Sequence, residues 1–281
     1  YAQDTEFERP LAAHVLRFRM ARALAGLRTS VLLRFYEACV REALNETTYV
    51  AGEAGQRFTF AASLDGVLLA VDGYDDGVGR LLDTVAPSLL DFKLTNERFA
   101  ALKDQIVREM AAFSHGDAYQ TVGETRRAVV REFHYRPDEQ LPIAREVTHA
   151  QVREFARALY ERGRFEALSY GNIDVADAIG AARRVVGALR PAALPDHELL
   201  RRRLLVAAPG EAIRSAEKLQ VNNSAFRREY VLGPDTPELR AATLVLAAFT
   251  GDPFYSEMRT RQQLGYIVFA GAAEDEHTEF A

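Results

Sequence analysis

Two alternating runs, Gln56 to Ala62 and Gly66 to Val71, flank the short connection Leu64-Asp65-Gly66. Asp-Gly between alternating runs is a hairpin signal, because the glycine supplies the backbone freedom that a tight turn requires. The pattern therefore demands an antiparallel strand pair, with Phe58 and Phe60 opposing Leu68 and Val71. Upstream, Ala12 to Met20 also alternates, and Leu16, Phe18 and Met20 share one face, which predicts a strand. Between these strands Val31, Leu32, Phe35, Cys39 and Ala43 form one apolar stripe at helical spacing. The expected helix starts at a Thr29 or Ser30 cap and ends near Asn45.

Further along, Gly73 and Asp75-Asp76-Gly77 punctuate before a helix through Leu81, Leu82 and Val85. Thr95 or Asn96 opens a helix carrying Phe99, Leu102, Ile106, Met110 and Phe113. Another helix is expected from Tyr119 to Phe133, with Pro137 and Pro142 marking a loop after it. Thr148 then caps a helix bearing Val152, Phe155 and Leu159, Phe165 to Tyr170 reads as a strand, and Val175 to Leu189 as a helix. Hairpins mixed with helical runs favour an α+β class, an antiparallel-rich sheet covered by helices. Pro191, Pro195 and Arg201-Arg202-Arg203 read as a solvated linker. Beyond it a strand Phe226 to Leu232, a helix from Pro237 at N1 through Leu239 to Phe249, a break at Gly251-Asp252-Pro253, a short helix through Arg259 and a strand Leu264 to Phe269 are expected. Strand, helix, strand thus recurs, a weak internal repeat whose second copy is truncated.

Composition excludes several functions. A net charge of -5 and a pI near 5.8 argue against nucleic acid as a partner. The longest apolar run, Ala241 to Phe249, is far short of a membrane span. The lone Cys39 rules out an internal disulfide and reads as a buried structural thiol. No two of His14, His115, His134, His149, His197 and His277 are three to five residues apart, so none offers a helical metal pair, and structural or surface roles are expected for all six. His14 and His149 are expected at element edges. No phosphate loop, dinucleotide fingerprint or Gly-x-Ser-x-Gly elbow occurs. The Asn45-Glu46-Thr47 and Asn222-Asn223-Ser224 sequons read as incidental. Tyr1 opens within a segment that reads as folded, so upstream sequence is expected.

Arg259 and Tyr266 admit two readings. A cation in the last turn of a helix complements the helix dipole, and a Tyr at a strand start is commonly half-buried core. The surrounding run points elsewhere. Arg259-Thr260, then Gln263-Leu264-Gly265-Tyr266-Ile267-Val268-Phe269 with Gly271 following, resembles a segment of the insulin-degrading-enzyme and pitrilysin family of zinc metallopeptidases. Leu44-Asn45-Glu46 through Tyr49, Ala51 and Gly55, continuing to Val71, Gly73, Tyr74 and Asp76, resembles the start of that family's third domain. Leu168, Tyr170, Gly171, Asn172 and Ile173 resemble its end, and Gln3-Asp4 through Pro10 its lead-in.

The resemblance covers essentially the whole chain and implies a division of labour. Residues 1–198 would be a complete α+β domain without metal ligands, and residues 199–281 a linker and the first part of a second homologous domain. The family's zinc motif, His-x-x-Glu-His, does not occur in these 281 residues. Zinc would be bound by an N-terminal half of the same protein, or by a partner subunit, and not by this chain. By resemblance, Arg259 would hold a substrate backbone carbonyl and Tyr266 would act catalytically, donating a hydrogen bond toward the developing oxyanion or the neighbouring peptide. The implied parent is a zinc metalloendopeptidase that degrades peptides in a closed chamber, in the cytoplasm or an organellar lumen. The alternative is a non-catalytic peptidase-like subunit that binds peptides or scaffolds an assembly.

Overall fold

The computed structural model describes residues 1–7, 9–275 and 278–280, so His277 lies outside the described residues. The chain divides into two compact units, Tyr1–Ser114 with Phe133–Arg201, and His115–Glu132 with Arg202–Ala281.

In the first unit, β1 (Ala2–Gln3) and β2 (Leu11–Met20) lead into the long helix α1 (Leu27–Glu53), then the hairpin β3 (Arg57–Ser63) and β4 (Gly66–Tyr74). Helices α2 (Asp75–Val85) and α3 (Asn96–Ala112) follow; α4 (Ala118–Val130) belongs to the second unit. The first unit resumes with α5 (Pro137–Glu146), α6 (His149–Leu159), β5 (Arg162–Gly171), α7 (Val175–Leu189) and β6 (Ala192–Ala193). The sheet runs β1-β5-β2-β4-β3, with β6 also on β5. Its long strands pair antiparallel, while the two-residue strands β1 and β6 lie parallel to β5.

One face of this sheet carries the core. Ala12, His14, Leu16, Phe18 and Met20 alternate inward along β2, as a period of two requires. They meet α1, which buries Val31, Leu32, Leu33, Phe35, Tyr36, Cys39, Val40 and Leu44. Among these groups the Tyr36 hydroxyl lies 2.8 Å from the Leu89 carbonyl and 2.9 Å from the Tyr160 hydroxyl. The buried Cys39 thiol is pushed up to about 12 by burial, the behaviour of an inert structural thiol. The hairpin forms as expected, but its register pairs Phe58 with Val71 and Phe60 with Leu69, leaving Leu68 opposite Ala61.

Several boundaries differ from the pattern-based expectation, each for a local reason. Gly26, not Thr29 or Ser30, precedes α1 as its cap residue. The helix continues past Asn45 to Glu53, with the Thr48 hydroxyl bonded back to the Leu44 carbonyl at 3.0 Å, and it stops just before Gly55, whose φ of 77 few other residues tolerate. Asp75 and Asp76 are the first turn of α2, not a loop before it, where their charge complements the helix N-terminus. Pro137 and Pro142 lie in a helix, not a loop. Pro137 opens α5 where its missing N–H is no loss, the Glu139 carboxylate accepts from the Arg136 N–H at 2.7 Å to close the first turn, and Pro142 lies inside the helix beyond that turn. His14 sits in the middle of β2 rather than at an edge. Thr95 and Thr148 cap α3 and α6 through their side chains, and α7 spans Val175–Leu189 as its periodicity predicts.

The second unit is smaller. Strands β7 (Val231–Pro234), β8 (Ala273–Asp275) and β9 (Thr278–Phe280) form a sheet ordered β7-β9-β8, and α8 (Pro237–Tyr255) follows β7. The expected strand Phe226 to Leu232 is shifted toward the C-terminus, and Phe226 is 88% exposed, without the packing that would hold it in a strand. Helix α4 is tied to this sheet by charge: Arg126 bonds Glu229 at 2.8 Å, Arg131 bonds Asp275 at 2.7 Å, and Arg126 also bonds Asp275 while lying over the Phe280 ring. Burial works to raise the Asp275 carboxyl, but the hydrogen bonds from Arg131 and Arg126 outweigh it and hold it below the usual range.

Candidate functional site

The Arg259–Tyr266 segment starts from α8. Thr236 caps this helix by accepting from the Leu239 N–H at 3.1 Å, and Pro237 occupies its first position, as expected. The Gly251-Asp252-Pro253 break does not form, because α8 continues through it to Tyr255. Pro253 removes one intrahelical donor within a helix whose residues are mostly exposed.

Beyond Tyr255 the helix widens into a π-helical turn, Ser256–Arg261. The Gln262 N–H bonds the Glu257 carbonyl at 2.9 Å, and the Leu264 N–H reaches the Met258 carbonyl at 3.0 Å. Gln263 is in the left-handed region at φ 53, which reverses the chain after the turn. The expected strand Leu264 to Phe269 is irregular backbone instead. A strand requires a paired neighbour, and among the described residues none lies beside this run.

This geometry brings the two expected residues together. The Arg259 Nη1 donates to the Gly265 carbonyl at 3.2 Å, and the guanidinium carbon stands 4.9 Å from the Tyr266 ring centroid. A guanidinium over an aromatic face at that distance contributes about 0.5–1 kcal/mol where exposed. Tyr266 is 83% exposed among the described residues. A guanidinium has five N–H donors, so one bond to Gly265 leaves others for an outside acceptor. With the exposed Tyr266 hydroxyl nearby, the pair can offer hydrogen bonds to a carbonyl or an anionic oxygen.

Metal chemistry has no comparable basis here. Among the described residues no three or more His, Cys, Asp or Glu side chains are arranged to hold a metal ion, so these residues do not fit zinc. His14 Nδ1 lies 2.9 Å from the Ser169 hydroxyl, and burial, with Arg184 adding to it and Asp177 opposing, holds its pKa down. His149 stacks on Phe99 at 5.0 Å, and its pKa is lowered by burial and by Arg153. Both histidines serve packing, whereas His115 and His197 are exposed. No helix among the described residues is long and apolar enough to cross a membrane.

Pattern reasoning missed the groups behind the pair. The Glu257 carboxylate accepts from Arg261 at 2.6 Å and from the Gln262 side chain at 2.7 Å. Glu257 and Arg261 four residues apart are a legible helical pair, but the π-helical turn that joins them to Gln262 has no sequence period.

Comparison with known proteins bears on the family and the fold. Residues 1–142 match the model described as the middle or third domain of peptidase M16, and residues 146–280 match the peptidase M16 inactive domain. The A-factor-processing enzyme of Saccharomyces cerevisiae is 24% identical over 99% of this chain, and human insulin-degrading enzyme is 25% identical over 96%. The chain spans only 28% and 27% of those two relatives. The crystal structure of pitrilysin superimposes with a TM-score of 0.75 at 18% identity, covering 99% of this chain and 30% of that one, a likeness of fold.

Proposed function

This chain belongs to the M16 family of peptidases, and on that premise we propose that it is the substrate-enclosing C-terminal half of a zinc metalloendopeptidase that degrades peptides in a closed chamber. In this reading residues 1–198 are a complete non-metal-binding domain, and residues 199–281 begin a second homologous one. Zinc and its ligands reside in an N-terminal half of the same protein, or in a partner subunit, and the compartment is the cytoplasm or an organellar lumen. Arg259 holds a backbone carbonyl of the peptide, and the Tyr266 hydroxyl donates toward the oxyanion that develops at the scissile bond.

The observation that carries the proposal is the pairing of an exposed Tyr266 with an Arg259 guanidinium that already grips one backbone carbonyl. In the full-length protein, Arg259→Ala is expected to lower kcat/KM for a quenched fluorescent peptide about a hundredfold while leaving zinc content unchanged. Wild-type kcat/KM in that variant would defeat the proposal.

The second reading is a non-catalytic peptidase-like subunit, and the match of residues 146–280 to an inactive-type domain is shared by both readings. The two readings part on one observation: an intact His-x-x-Glu-His in the residues that precede this chain favours the enzyme, and a degenerate one favours the scaffold.

A further inference from the structure

The π-helical turn that presents Arg259 is an uncommon backbone, and such turns persist only where something holds them. Three interactions converge on one residue here. The Glu257 carbonyl accepts the wide-ring bond from the Gln262 N–H at 2.9 Å. Its two carboxylate oxygens accept separately from Arg261 at 2.6 Å and from the Gln262 side chain at 2.7 Å. Gln262 is thus gripped at both its main chain and its side chain by the same residue. The next residue, Gln263, takes the left-handed conformation at φ 53 that turns the chain back. That reversal places the Gly265 carbonyl within 3.2 Å of Arg259, and Tyr266 under the guanidinium.

We propose that Glu257 is a positioning residue: by clasping Arg261 and Gln262 it holds the π-helical turn and the reversal at Gln263, and so aims the Arg259–Tyr266 pair at a peptide substrate. This role rests on the substrate-holding reading above. Without the clasp, the turn can relax toward ordinary α-helical spacing, in which side chains beyond Glu257 rotate about the helix axis and Gly265 no longer meets Arg259. The clasp is solvent-accessible, with Glu257 at 40% and Arg261 at 77% side-chain exposure, so it adds little to global stability. Its effect is on geometry, and misplacing a substrate-holding group by about 1 Å can reduce the rate on the order of a hundredfold.

The test compares four variants of the full-length peptidase on a quenched fluorescent peptide: Glu257→Ala, Glu257→Gln, Arg259→Ala and the Glu257→Ala/Arg259→Ala double. Glu257→Ala should lower kcat/KM at least about tenfold with an unchanged Tm. Glu257→Gln, which keeps one acceptor oxygen, should recover part of that loss. The double variant should lose less than the product of the two single losses, since Glu257 acts through the Arg259–Tyr266 pair. Wild-type activity in Glu257→Ala beside an impaired Arg259→Ala would overturn the positioning role and leave the substrate-holding reading standing. So would losses that multiply in the double variant, or a Glu257→Ala Tm that falls in step with activity. Wild-type activity in Arg259→Ala would remove the substrate-holding reading and the positioning role with it.

Discussion

Replacing Tyr36 by Phe separates the two hydroxyls of the buried tyrosine pair. Both rings are nearly inaccessible, at 0% and 1% exposure. The simplest proton arrangement has Tyr36 donating to the Leu89 carbonyl and accepting from Tyr160. Burial raises both phenol pKa values, and for Tyr36 the neighbouring Tyr160 adds to the effect, so both protons stay in place across ordinary pH. Tyr36→Phe keeps the ring contacts to Phe60, Phe92 and Tyr160 but takes a partner from two groups, the Leu89 carbonyl and the Tyr160 hydroxyl. At about 1–3 kcal/mol for each unsatisfied buried group, the loss is about 2–6 kcal/mol. Tyr160→Phe removes only the bond that Tyr36 accepts and costs about 1 kcal/mol. Urea unfolding monitored by far-UV circular dichroism measures both. Equal losses, or a larger loss for Tyr160→Phe, would refute this assignment of donor and acceptor.

Two further predictions concern backbone and charge. Gly171 has φ 111, and an added Cβ would stand 2.2 Å from the Leu11 carbonyl oxygen, so Gly171→Ala should cost at least ~2 kcal/mol in urea unfolding. Gly187, in α7 with nothing within 4 Å of its would-be Cβ, is the contrasting site, and Gly187→Ala should stabilise by ~0.5 kcal/mol. Asp275 and Glu229 both titrate below their ordinary values in the folded chain. Their contribution to stability is therefore complete above the unfolded carboxylate values near pH 4 and is lost as pH falls through the folded ones. Amide protection factors in β8 should fall below about pH 4, and Asp275→Asn should lower them at neutral pH as well.

Much of the first unit was legible because its signals are local. The Thr148 cap and the spacing from Val175 to Leu189 locate α6 and α7, and the alternation from Ala12 to Met20 locates β2. The misreadings share a cause. Pro142, Pro253 and Asn45 carry breaker propensities, yet each lies inside a helix. Leu264 to Phe269 carries strand propensity, but propensity without a neighbouring strand does not make one. The Arg126–Asp275 clasp was invisible because its members lie 149 residues apart in sequence. Arg259 and Tyr266 were picked out by the resemblance alone, since neither helix period nor charge pattern singles them out. Glu257 escaped notice because a π-helical turn leaves no periodic trace.

The central claim is that the Tyr266 hydroxyl faces a reacting peptide. It is tested most directly by kcat and Tm measured on one sample of full-length Tyr266→Phe. The account predicts an unchanged Tm and zinc content with kcat lowered about a hundredfold, equivalent to roughly 3 kcal/mol of transition-state stabilisation. A near-normal kcat accompanied by a lowered Tm would contradict it and return Tyr266 to a structural role.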